Sequence, residues 1–240
     1  MTMNDQLVLI CGTSGSGKSA SLRNIKDPEG VLYLNCESGK KLPFPSKFTQ
    51  ITITDPNKIL SGIDEVESMP KFHTIVIDSL TYLMDMYESQ FIIGAKDTMA
   101  GWQNYQQYFK RMMQQHVAKS SKNIIFTAHV LSLLNETDMI METKVPIKGA
   151  LKNVGLESFF STILMAQKMD IPTLEKYPNS LLTFSDEEKA LGFKYVFQTK
   201  LTKDSLHTRI RSSMGMWSDK ETFIDNDMQL VLNRLHKYYA

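Results

Sequence analysis

Almost no net charge, few cysteines and no long apolar run characterise this chain, and each scarcity removes a class of function. Lys and Arg number 27 against 26 Asp and Glu, a formal net charge of +1. No global field therefore draws in nucleic acid or an anionic membrane, and any such surface has to be local. Composition by itself neither supports nor excludes DNA as a partner. The two cysteines, Cys11 and Cys36, each end an apolar stretch, and no Cys/His cluster has zinc spacing. They read as small core residues of a reduced compartment. No apolar run approaches the ~20 residues of a membrane span, and residues 1–6 lack the basic-then-apolar layout of a signal peptide. A cytoplasmic protein without a membrane partner is expected. Internal repeats and low-complexity tracts are absent too.

What is present is enough apolar content for a core: 42% of 240 residues. The reading is one domain over residues 1–240, with its core in 5–215 and a closing helix over 225–239. The 15 methionines fall mostly within apolar helical patterns, where gap-filling is their role.

The rest of the chain is organised around residues 7–20. Leu7-Val8-Leu9-Ile10-Cys11 reads as a buried parallel strand. Gly12, Thr13, Ser14, Gly15, Ser16, Gly17, Lys18 and Ser19 follow at once, with Ala20 next, and fit G-x-x-x-x-G-K-[ST]. About one chain in a hundred of this length would carry such a match by chance. Glycines at 12, 15 and 17 are expected to allow φ > 0, turning successive N–H groups inward to make a concave anion site. Lys18 adds a positive charge toward β- and γ-phosphates, and Ser19 offers a hydroxyl to Mg²⁺.

A short helix over 18–26 should stop before Asp27-Pro28-Glu29-Gly30. Strands are predicted over 31–36, 48–54, 73–78, 123–128, 161–166 and 193–199, with helices over 55–68, 79–93 and 102–119. Trp102, Tyr105, Phe109, Met112, Met113 and His116 recur at helical spacing, a stripe that reads as core more than as a base-stacking platform. From 131 to 157 the pattern dissolves into a long loop holding Glu136, Asp138, Glu142, Lys144, Lys148 and Lys152, and such loops tend to be functional. A polar insertion over 170–191 and a basic, turn-rich stretch over 200–215 complete the chain.

Strands alternating with helices imply an α/β fold, a mostly parallel twisted sheet with helices on both faces. Right-handed crossovers then put every parallel strand's carboxyl end on one edge. Gly12, Glu37, Asp78 and His129 all follow strand ends, so a phosphate cradle, two carboxylates and an imidazole share that edge. Asp78 is placed to hold Mg²⁺, the alternative being a helix N-cap. The residue after it is Ser79 and not Glu, so the base that polarises water has to come from another strand, and Glu37 is the candidate. Its alternative is a surface carboxylate in a turn. His129 stands as the γ-phosphate sensor, against a satisfied core histidine.

This combination resembles the RecA-like recombinase P-loop ATPases, in particular the short phage nucleotide-binding proteins associated with single-strand annealing recombination. The likeness rests on GTSGSGKSA, the Glu ending LYLNCE, TIVIDSLTYL with its Asp-Ser, and the polar residue ending IIFTAH, and it spans residues 5–215. It implies that the strand before His129 lies between the phosphate-loop strand and the Asp78 strand. In that layout Cys11 and Cys36 are too far apart for a disulfide. The resemblance further implies ATP between subunits of a homo-oligomer and a mobile single-strand-binding loop after His129, with 94–101 a second such loop. It also implies a basic finger reaching the neighbour's ATP, for which Lys200, Lys203, Arg209 and Arg211 are candidates and Lys203 and Arg209 preferred. The phosphate-loop strand begins by Leu7, so the segment that polymerises larger relatives is expected to be missing.

The leading reading is a Mg²⁺-dependent, DNA-stimulated ATP hydrolase that binds single-stranded DNA in phage recombination, annealing or repair, with a single-strand-binding protein as a possible partner. Lys144, Lys148 and Lys152 would track its phosphates, the alternative being a solvated mixed-charge loop. Two other readings stand beside it: a nucleotide-gated assembly or loading factor with little hydrolysis, and a small-molecule kinase, which would need an Arg-rich lid that the sequence does not show.

Overall fold

A computed structural model of the chain describes residues 4–136 and 139–240. Among the described residues ten strands form: β1 Leu7–Gly12, β2 Val31–Asn35, β3 Thr49–Thr52, β4 Thr74–Asp78, β5 Asn123–His129, β6 Leu131–Asn135, β7 Ile140–Lys144, β8 Thr162–Asp170, β9 Phe193–Gln198 and β10 Phe223–Asp225. The helices are α1 Asn57–Glu67, α2 Leu80–Phe91, α3 Thr98–Arg111, α4 Leu151–Val154, α5 Ile171–Leu174, α6 Asp186–Leu191 and α7 Met228–Tyr239.

Eight strands make one sheet in the order β10-β9-β8-β1-β5-β4-β2-β3. From β8 to β3 every neighbouring pair is parallel, whereas β9 runs antiparallel to both β8 and β10. β5 thus lies between β1 and β4, as the RecA-like resemblance implies. Cys11 and Cys36 are buried and unpaired.

Period-two alternation divides the parallel strands between two cores. Leu7, Leu9, Cys11, Ile75, Ile77, Ile124 and Phe126 face the layer of α1, α2 and α3, while Val8, Ile10, Val76 and Ile125 face α7. Both faces are covered, so both sides of each strand are apolar. The aromatic stripe is core: Tyr105, Phe109, Met112 and Met113 are buried. Methionines divide, with Met84, Met112, Met113, Met216 and Met228 in the core but Met99, Met139, Met141 and Met214 exposed.

Three local expectations are corrected. The segment after the phosphate loop is a short 3-10 turn, Ser19–Asn24, because Asp27-Pro28 ends it within a few residues. Residues 131–157 are not a structureless loop: β6 and β7 pair as an antiparallel hairpin, followed by α4. Leu131, Leu133, Leu134 and Met141 are exposed on that hairpin, so no core burial imposes the periodicity by which strands are read. The expected loop over 94–101 is shortened, because α3 starts at Thr98, with the Asp97 carboxylate accepting from the Ala100 N–H at 2.9 Å. β10 was unforeseen, since three residues carry too little pattern to read. Among the described residues no helix is long and apolar enough to cross a membrane.

Candidate nucleotide site

The loop joining β1 to the 3-10 turn lies at the carboxyl edge of the sheet. Gly15 and Gly17 take φ of 73° and 94°, a region open mainly to glycine. Gly12 does not. It ends β1, and its glycine is required by space instead: a Cβ there would sit 2.2 Å from Ser16 Oγ and 2.7 Å from the Ala166 carbonyl. Lys18 is buried, its Nζ donating to the carbonyls of Gly12 at 3.0 Å and Thr13 at 2.8 Å. Burial pulls its pKa below the usual lysine range, against the pull of Asp78 and Glu37. A buried ammonium held only by carbonyls is a site waiting for an anion. Ser16 Oγ is buried without a partner in the same loop.

Asp78 closes the site from the end of β4. Its Oδ2 accepts from Ser19 Oγ at 2.7 Å and from the Tyr33 hydroxyl at 2.5 Å, and its Oδ1 accepts from Thr127 Oγ1. Three strands and the loop therefore converge on one carboxylate. Burial, then the Asp78 charge, raises the Tyr33 pKa, so the phenol stays protonated as donor.

Glu37 and His129 come together as the edge argument requires. His129 Nε2 lies 3.0 Å from Glu37 Oε1, and Lys40 Nζ donates to Glu37 Oε2 at 3.0 Å. The His129 bond first, and then Lys40, bring the Glu37 pKa down to about 2 despite partial burial. The His129 backbone N–H donates to Thr81 Oγ1 at 2.9 Å, which holds the end of β5 against α2. Glu37 is thus not a free turn carboxylate, nor is His129 a core histidine.

A cavity of about 530 Å³ opens over Ser14, Gly15, Ser16, Gly17, Lys18, Ser19 and Ala20, within the range usual for small-molecule sites. Asp78, Glu37 and His129 line one side. The other side was not foreseen: Arg23, Lys194, Tyr195 and Asn226 line it. Arg23 Nη1 donates to the Asn226 carbonyl at 2.9 Å. Arg23 stands on the 3-10 turn after the loop, whereas Lys194, Tyr195 and Asn226 come from the antiparallel end of the sheet, and only tertiary pairing brings those three to the loop.

Five of the sequence-selected basic residues gather next door. A second cavity, about 920 Å³, is lined by Lys144, Lys148, Lys152, Arg209 and Arg211 together with Tyr82, Tyr105 and His129, again within the usual size range. Lys148 is paired with Glu88 at 2.7 Å, and Lys144 with Glu142 at 3.3 Å. Lys152 is exposed on α4. Arg209 lies 3.8 Å from Glu142, and Arg211 donates to the Phe160 carbonyl at 3.3 Å. Lys200 is tied to Asp219, while Lys203 is exposed in a short turn, Lys203–Ser205, and lines neither cavity. Asp138 lies outside the described residues.

The cradle fits a nucleoside triphosphate: left-handed glycines at 15 and 17, a buried ammonium on Lys18 and, beside Gly12, an unpartnered hydroxyl on Ser16. Ser19 and Asp78 would hold Mg²⁺. Such an ion takes one or two protein ligands and completes its shell with phosphate oxygens and water.

Comparison with known proteins bears on the lineage of this cradle. No curated protein matches the chain. Among solved structures it is similar to the flagellar accessory protein FlaH from Methanocaldococcus jannaschii, at 13% identity and a TM-score of 0.37, over 82% of this chain and 78% of that one. The AAA_24 family, described as an AAA domain, matches residues 4–187. That stretch carries the phosphate loop, Glu37, Asp78 and His129 together, and the chain belongs to this AAA domain family.

Proposed function

We propose that the protein is a Mg²⁺-dependent ATP hydrolase whose turnover responds to single-stranded DNA bound in the basic cavity beside the nucleotide. One observation carries the reading: the His129 ring lines both cavities and is bonded to Glu37. Anything that moves His129 from one cavity alters the base in the other. The loop N–H groups and Lys18 bind the phosphates, Ser19 and Asp78 hold the ion, and Glu37 takes the proton of the attacking water. Held by Ser19 and Asp78, Mg²⁺ would supply positive charge against the charge that develops on the transferred phosphoryl group. Tyr82, exposed in the basic cavity, offers an aromatic face to a base, and the lysines and arginines offer charge to the phosphodiesters. In this reading copies associate with ATP between them, Arg209 or Lys203 serving the neighbour's γ-phosphate, in a recombination or annealing role.

A second reading is favoured by the same contact. Glu37 is engaged by both His129 and Lys40 and is a weak base in that state, as a nucleotide-gated assembly factor with little hydrolysis would require.

Steady-state phosphate release with and without single-stranded DNA, over a series of salt concentrations, separates them. The expected result is stimulation by DNA that fades as salt rises, with Glu37→Gln lowering turnover by about 10²- to 10⁴-fold while ATP still binds. Turnover indifferent to DNA at every salt concentration removes the DNA assignment. Tight ATP binding with negligible hydrolysis under all conditions selects the gated reading.

A further inference from the structure

We infer that Asn226 reads the base of the bound nucleotide and selects adenine, with Tyr195 as the flat surface beside it. The inference rests on the nucleotide reading above and adds the ligand's identity to it. Asn226 is only 4% exposed, yet neither its amide nitrogen nor its amide oxygen has a hydrogen-bond partner. Buried amides are almost always paired, because an unmet donor and an unmet acceptor each lose their water for nothing. This one lines the phosphate-loop cavity.

Its placement is set by main chain. Asn226 directly follows β10, whose last residue, Asp225, pairs with Val196, so it stands beside Tyr195 at the end of the β9 and β10 ladder. Both side chains lean on the loop: a Cβ added to Gly17 would lie 2.9 Å from Asn226 Nδ2 and 3.3 Å from Tyr195 Cδ1. The backbone of this turn is already secured, since the Asn226 carbonyl takes the Arg23 guanidinium. The side-chain amide therefore does no work in holding the turn, and its hydrogen-bonding capacity is left for a ligand.

An amide presents one donor and one acceptor side by side. Adenine's N6 amine and N7 complement that pair, whereas guanine offers two acceptors, O6 and N7, along the same edge. Tyr195 is 39% exposed in the same cavity, and with Lys168 Nζ over its ring at 5.5 Å from the centroid, the exposed remainder of the ring is what lies beside a base.

The test is calorimetric titration, with Mg²⁺, of the unaltered chain and Asn226→Ala with ATP, GTP, purine riboside triphosphate (ATP without its N6 amine) and inorganic tripolyphosphate. Asn226→Ala is expected to weaken ATP binding by about ten- to a hundredfold and to leave tripolyphosphate binding unchanged. The unaltered chain should lose a similar factor on going from ATP to the riboside analogue, and Asn226→Ala should lose nothing further. Its melting temperature without ligand should not fall, because two unmet polar atoms have been removed. Equal weakening of ATP and tripolyphosphate would overturn the inference by placing the amide at the phosphates, as would equal binding of ATP and the riboside analogue by the unaltered chain. Lys18→Ala keeps the two levels apart: if it binds ATP and tripolyphosphate as tightly as the unaltered chain, the nucleotide site itself is wrong.

Discussion

Asp78 and Glu37 show how two carboxylates on one sheet edge acquire different tasks. Asp78 is buried and receives Ser19, Tyr33 and Thr127, three hydroxyl donors that fix its orientation. Removing one donor leaves a carboxylate oxygen short of a partner, so Thr127→Val should cost about 1–3 kcal/mol, read from chemical denaturation. Glu37 is instead held by His129 and Lys40. Its pKa falls from 4.5 to about 2 on folding, chiefly through the His129 bond. A depressed carboxylate contributes stability that is complete above its unfolded pKa and is lost as pH falls through the folded one. The contribution from Glu37 therefore disappears between pH 4.5 and about 2. His129→Ala should flatten the decline of stability across that window. Coincident pH profiles for the two proteins would mean that the His129 contact does not form in solution.

At the scale of elements, the site is rigid where both faces of a strand are buried. Phe126 on β5 is fully enclosed, with its ring edge-on to Phe160 at 5.5 Å. Phe126→Ala should cost about 3–5 kcal/mol in unfolding free energy, and the same strand carries Thr127 and His129 into the site. α6 contributes differently. It is short and exposed, and its N-terminus is secured by a capping box between Ser185 and Glu188, worth about 1 kcal/mol. Glu188 also receives Lys194 at 2.6 Å, which ties the helix to β9 at the side of the cavity that holds Tyr195. The β6 and β7 hairpin contrasts with both, being bonded mainly within itself. Leu131 and Lys144 face each other at its base, so excising 132–143 in favour of a two-residue Asn-Gly turn preserves the closure. Lys144, Lys148, Lys152, Arg209 and Arg211 all remain in that variant, so ATP binding and stimulation by single-stranded DNA should both be retained. Loss of stimulation would place the DNA on the hairpin itself.

For the whole molecule, the six parallel strands from β8 to β3 bring their carboxyl ends to one edge, and the nucleotide cavity and the basic cavity adjoin there across His129. A net charge of +1 supplies no long-range steering, so DNA binding should depend on the local cluster and weaken steeply with salt. If ATP lies between copies, sedimentation should show association with a non-hydrolysable ATP analogue and not without it. Unchanged mass in both conditions would confine the chemistry to a single copy.

Motif and pattern alone determined the phosphate loop, the carboxylates Glu37 and Asp78, and the imidazole of His129. The reason is topological: apolar runs followed by a polar residue mark parallel strand ends, and right-handed crossovers bring those ends to one edge. The tertiary structure alone decided which lysines are paired with carboxylates, that the segment after His129 is a hairpin, and that Asn226 and Tyr195 close the nucleotide cavity. Those outcomes depend on neighbours far apart in the chain, such as Lys148 with Glu88 or Asn226 with Gly17. Short-range periodicity carries no information about such distances, so folding itself had to bring these residues together.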